Sequence, residues 1–307
     1  MKRGLILAAV LALLVLAPFL LAPFPVAMLT RILIFALLAV SLDLLVGTTG
    51  LPSLGHGAYF GAGAYAAGWL AIHVTRNGAW LLLAAVATGA LVAAIAGSVA
   101  VRARGIFFLM LTLAIGEIVE QLAESWHGVT GGSNGLYGIP AARFPGIAMT
   151  GVEQVYGVVL AVAIAGVAAM ACLVASPLGA TLRGIRDNEP RMRALGYRTY
   201  HYKLAAFVIA GAMAGLAGGL LAMQQRLVTP PDLGFATSVA ALLAVIIGGE
   251  ATLWGPCLGA AIVVLLRDAL GPSLGGHGRL VLGIVFVVVV FLLPGGLARV
   301  GWRRAPR

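Results

Sequence analysis

Along the chain, about ten predominantly apolar runs are long enough to cross a hydrocarbon core, near 4–22, 26–46, 53–73, 79–101, 105–124, 154–175, 203–223, 235–249, 252–270 and 279–298. Polar and turn-forming residues collect between them rather than at a helical or strand period inside them. That pattern predicts an all-α polytopic membrane protein made of one transmembrane domain over 1–307. The run at 4–22 also has the outline of a signal peptide. Its apolar character continues past Pro18 with no A-x-A site after it, so an uncleaved first helix is the expectation. The run at 235–249 is short and framed by Gly234 and Gly248-Gly249, so it either spans or re-enters.

Composition agrees with lipid as the solvent: 61% of the 307 residues are hydrophobic and only 10% are charged. The net charge of +10 lies in short segments between apolar runs rather than on a basic face with polar or aromatic contacts, which argues against nucleic acid. With the N-terminus inside, fourteen basic residues fall on cytoplasmic segments and five outside, namely Arg76, Arg143, Arg226, Arg267 and Arg279. Both termini are therefore expected in the cytoplasm. Cys172 and Cys257 stand apart in apolar runs and imply neither a disulfide nor a metal site. The chain carries no G-x-x-x-x-G-K-[ST] phosphate loop, so no nucleotide or other cofactor is expected on it.

Two connections are long. The external loop at 125–153 contains Gly131-Gly132-Ser133-Asn134-Gly135, too rich in glycine to be helical throughout. It fits G-x-S-x-G, but a hydrolase elbow needs a strand before it and a helix after it, and only His127 is at hand as a base. The cytoplasmic loop at 176–203 holds most of the charge. From Asn188 to Gly196 it reads as a short helix: Asp187 or Asn188 as N-cap, Glu189 and Pro190 in the first turn, Gly196 as the left-handed stop. On charge alone it is a lipid-headgroup loop.

Within the spans, Gly57 and Gly61 are spaced for close helix packing, and His56 at the start of the same run is a packing or pathway residue. Glu117, Glu120 and Glu124 share one helical face. Glu117 lies about 18 Å from the inner end of its run, a depth that Arg31 reaches from the other side, which suggests an Arg31–Glu117 ion pair.

Taken in order, Leu44 to Gly57 (LLVGTTGLPSLGHG), Leu111 to Glu117 (LTLAIGE), Thr130 to Leu136 (TGGSNGL), the cytoplasmic loop ending Tyr202 to Phe207 (YKLAAF), Gly248-Gly249, Thr252 to Pro256 (TLWGP) and Pro294 to Leu297 (PGGL) resemble the permease subunit of branched-chain amino-acid ABC importers, of the LivM type. The resemblance covers nearly the whole chain. It implies a homologous second permease of the LivH type, two cytoplasmic P-loop ATPase subunits that carry ATP and Mg, an external amino-acid-binding protein, and the bacterial inner membrane. It also implies that the cytoplasmic loop docks the ATPase through Asn188, Glu189, Ala194, Leu195 and Gly196, reversing the lipid-loop reading. Asp43 and Pro52 depart from the family pattern. Related permeases carry urea or short amides, and an ion-coupled transporter is the competing class; a two-fold internal repeat, which that class favours, is not evident in the runs.

Overall fold

A computed structural model describes residues 12–103 and 105–269, together with 280, 283–284, 287–288, 291 and 295–300. The first half of the run at 4–22, most of the run at 279–298 and both termini lie outside the described residues. Among those described, the chain is a bundle of α-helices: α1 (Pro23–Asp43), α2 (His56–His73), α3 (Gly78–Ala100), α4 (Ile106–Ser125), α5 (Val152–Ala175), α6 (Pro177–Ala194), α7 (Thr199–Gln225), α8 (Phe235–Gly248) and α9 (Trp254–Val264). A π-helical segment, Leu44–Thr49, continues α1, and a second, Leu265–Ala269, continues α9.

Among the described residues, six segments are long and apolar enough to cross a membrane: Pro23–Thr49, α3, α4, α5, α7 and Pro230–Gly248. Helix α2 falls outside that set although the sequence predicts a span there. The reason is its place in the bundle. Most of α2 is buried against α7, α3 and α8, so its glycines, tyrosines and His56 are not required to be apolar enough for lipid. Helix α4 is the opposite case, with only 22% of its apolar window buried within the chain, against 78% for Pro23–Thr49.

Small residues set the core spacing. Where α2 crosses α7, a Cβ placed on Gly63 would lie 2.5 Å from Gly215 Cα, so the two backbones touch only because both positions lack a side chain. Gly57 and Gly61 serve the turn leading into α8. A Cβ on Gly57 would come within 2.9 Å of the carbonyl oxygens of Leu233 and Gly234, and one on Gly61 would meet the Leu233 side chain.

The loop at 125–153 is not wholly irregular. Two short antiparallel ladders form there: β1 (Leu136–Tyr137) pairs with β4 (Leu227–Val228), and β2 (Arg143–Phe144) pairs with β3 (Ile147–Ala148). The first ladder ties the loop to the far end of α7.

Candidate functional site

The charged segment expected as a loop is helical from Pro177. Ser176 caps it, its hydroxyl oxygen accepting from the Gly179 amide at 3.5 Å, and Pro177 opens the first turn. The Ser-Pro pair is a helix-start signal in plain view, and α6 begins there rather than at Asn188. The expected second helix is also present. Asn188 leaves helical geometry (φ −158°, ψ 86°), and its side-chain oxygen accepts from the Arg191 amide at 3.0 Å, so Asn188, not Asp187, is the cap.

Gly196 ends this helix in the left-handed region at φ +89°. The Tyr197 amide donates back to Met192 O at 3.1 Å and the Gly196 amide to Arg193 O at 3.0 Å, which is the Schellman pattern. Both ends of the turn are thus closed by its own residues.

Of the five residues assigned to docking, Asn188, Ala194, Leu195 and Gly196 are exposed, Leu195 to 67%. Glu189 turns inward instead. Its Oε1 accepts from Arg193 Nη2 at 2.6 Å and Thr199 Oγ1 at 3.0 Å, and pairs with Lys203 Nζ at 3.1 Å. Burial would raise the Glu189 carboxyl, but the Lys203 bond and charge, then the Arg193 and Thr199 donors, more than offset it and hold it below the ordinary glutamate value. Lys203 is the more deeply placed partner, with 5% of its side chain exposed. Glu189 thus fastens the exposed turn to the first turns of α7.

A second fastening runs through Arg186, which donates to the Gly47 carbonyl of the π-helical segment and lays its stem over Gly50. Asp43 lies at the head of that segment. Its carboxylate accepts from the Ala251 amide at 2.9 Å, where the chain breaks between α8 and α9 with Ala251 at φ +59°. A Cβ on Gly47 would lie 2.7 Å from Ala251 Cα. The helix α6, the end of α1 and the α8–α9 break therefore form one connected unit. Sequence reasoning singled out Asp43 as a departure but gave it no partner.

The Arg31–Glu117 pair is not formed. Arg31 Nη1 pairs with Asp268 Oδ2 at 2.8 Å, and Glu117 lies exposed on α4. Helix α1 packs along α9, so the π-helical turn after α9 delivers Asp268 to Arg31. Glu120 goes elsewhere: its carboxylate sits at the entrance of α8, where a Cβ on Gly234 would come within 2.6 Å of Oε2.

His56 is wholly buried within the bundle. The Ser41 hydroxyl is committed to Leu38 O at 2.6 Å, so His56 Nε2–H donates to Ser41 Oγ across 2.8 Å. The next residue is held from α8, as the Gly57 amide donates to Ser238 Oγ at 2.8 Å. The G-x-S-x-G segment is not a nucleophile elbow: a helical turn, His127–Thr130, precedes it, and His127 Nδ1 bonds Ser125 O at 3.0 Å.

This arrangement, a multi-span helix bundle with a fastened and capped surface helix at one end, is that of a polytopic membrane protein. The family model for the branched-chain amino acid transport system permease component matches residues 24–293, and the chain belongs to that family. It is 30% identical to the high-affinity branched-chain amino acid transport system permease protein LivM of Escherichia coli (strain K12), over 96% of this chain and 75% of the relative. The Salmonella typhimurium LivM gives the same figures. It is also 24% identical to the E. coli (strain K12) permease protein LivH, over 86% of this chain and 90% of that one. No solved structure matches it significantly.

Proposed function

We propose that this chain is one of two homologous permease subunits of an ATP-driven importer of leucine, isoleucine and valine in the bacterial inner membrane. The observation that carries the reading is the second half of α6: a short helix closed at both ends, exposed at Ala194, Leu195 and Gly196, and fastened behind by Glu189 to Lys203. A surface helix needs such fastening if force applied to it is to reach α7 rather than be lost in loop motion. The matching relatives are named as branched-chain permeases, which favours those amino acids over urea or short amides.

In this reading two ATPase subunits hold ATP and Mg, this chain binds no nucleotide, and an external binding protein delivers the amino acid. Ten spans with both termini in the cytoplasm accommodate the basic residues best. The likeness to both LivM and LivH supports a partner of the same fold. Glu117 belongs to the path or to the subunit interface, because a mid-depth carboxylate facing lipid is costly.

The test is leucine uptake into liposomes. The chain with its partner permease, ATPases and binding protein is expected to accumulate leucine only with ATP, and the chain alone to accumulate none under proton or sodium gradients. Gradient-driven uptake by the lone chain would make it a secondary transporter.

A further inference from the structure

Helices α1 and α9 pack against each other, and each continues into a π-helical turn, Leu44–Thr49 after α1 and Leu265–Ala269 after α9. One polar contact crosses the pair at each end. Asp43, at the head of the first π turn, accepts from the Ala251 amide at 2.9 Å, and Asp268, inside the second, pairs with Arg31 at 2.8 Å. The two helices therefore run antiparallel. Arg31 lies twelve residues before Asp43, about 18 Å along α1, so the contacts stand well apart, one at the α6 end of the bundle and one toward the other.

The two ends are built differently. At the Asp43 end backbone meets backbone: a Cβ on Gly47 would lie 2.7 Å from Ala251 Cα, and one on Gly259, in the first half of α9, would lie 3.0 Å from Ala244 Cα on α8. Asp43 itself is buried, and Arg186 holds the Gly47 carbonyl from α6. The Arg31 end is open. The Arg31 and Asp268 side chains are 42% and 21% exposed, and Leu265 and Arg267 beside them are exposed too.

A π turn carries i→i+5 bonds in place of i→i+4 ones, and such turns are rare outside functional sites. Closing one to α-helix rotates the residues within it by most of the roughly 100° that one residue occupies. For Leu265–Ala269 that rotation takes Asp268 away from Arg31 while α9 stays helical. Leaving a lone charge at this depth would be costly, but the carboxylate has a second cation in place, Arg267 Nε at 3.6 Å from Oδ1. The long Arg31 stem can carry its head toward the interface.

We propose that the Arg31–Asp268 pair is a releasable latch thrown by the π turn at Leu265–Ala269, and that the Asp43–Ala251 end is the pivot about which the far end of α9 swings from α1. Under the importer reading, the pull on α6 reaches the pivot through Arg186 and the latch opens in the ATP-bound state.

The test is a pair of spin-label distances in the whole transporter in nanodiscs, with Cys172 and Cys257 replaced by alanine. Labels at Phe24→Cys and Leu265→Cys report the latch, and labels at Asp187→Cys and Trp254→Cys report the pivot; all four positions are exposed. Without nucleotide, Arg31→Gln is expected to lengthen the latch distance by several ångströms and leave the pivot distance unchanged. Arg31→Asp with Asp268→Arg should bring the latch distance back. If Arg31→Gln does not assemble, Asp268→Asn decides. A latch distance equal to that of the wild type in the assembled variant overturns the proposal, and so does an equal lengthening at both ends. Trapping the otherwise wild-type complex with ATP and vanadate should lengthen the latch distance alone; a complex that hydrolyses ATP yet keeps that distance fixed makes the ion pair a static tie and overturns the latch. A complex that neither hydrolyses ATP nor takes up leucine overturns the importer reading instead, and the nucleotide-free comparison still judges the latch.

Discussion

At one end of the bundle Arg186, Arg193 and Lys203 direct their donors into the chain, to the Gly47 carbonyl, Glu189 and Thr199. At the other, Arg76 and Arg143 converge on a cleft and leave their guanidinium groups unengaged among the described residues. The charges are of the same sign and the consequences differ. A charge satisfied inside the chain is a fastener, so its removal costs stability; a charge held open costs little stability when removed and acts on what binds there. Within α6 the same contrast recurs on a shorter scale, between Glu189 facing inward and Ala194 and Leu195 facing out.

The largest expected break in this comparison is Glu189→Leu, which strands the Lys203 ammonium where it is nearly inaccessible. About 3 kcal/mol of stability should be lost, read as thermal unfolding in detergent. Glu189→Leu combined with Lys203→Met should recover most of it, and a double variant as unstable as the single one would show that the pair is not the fastener. The same residue gives a pH dependence. Because the folded carboxyl titrates below its ordinary value of 4.5, the contribution is complete above that pH and is lost as pH falls through the folded value. Glu189→Gln should flatten that acid limb.

Gly196→Val comes next. A Cβ there meets nothing within 4 Å, so the whole effect is the backbone at φ +89°, about 1–2 kcal/mol, while Gly196→Asn should be milder. A Gly196→Val chain that melts with the wild type would mean the left-handed stop is dispensable. Smallest is Arg191→Gln on the exposed side, expected within about 0.5 kcal/mol of wild type in the same melt.

Which features were legible in the sequence follows the same physics. Lipid as solvent forces long apolar runs, so 26–46, 79–101 and 154–175 reappear as Pro23–Thr49, Gly78–Ala100 and Val152–Ala175. Caps are local chemistry, so Asn188 and Gly196 could be read from their neighbours in the chain. The fasteners between distant elements could not. Arg31 and Asp268 are 237 residues apart and Asp43 and Ala251 208 apart, and only the packing of α1 on α9 and the break after α8 bring them together. Matching depth suggested a carboxylate for Arg31 but had no means of choosing between helices, and the choice of Glu117 was wrong for that reason.

The most direct test of the account is leucine transported per ATP hydrolysed in the reconstituted importer, compared between Ala194→Trp and Arg191→Gln. If the exposed turn of α6 docks in a cleft of the ATPase, Ala194→Trp should abolish uptake while ATP hydrolysis continues and the chain remains inserted, and Arg191→Gln should transport at close to the wild-type ratio. Loss of transport in Arg191→Gln with a normal ratio in Ala194→Trp would make α6 an electrostatic anchor to lipid and contradict the docking assignment.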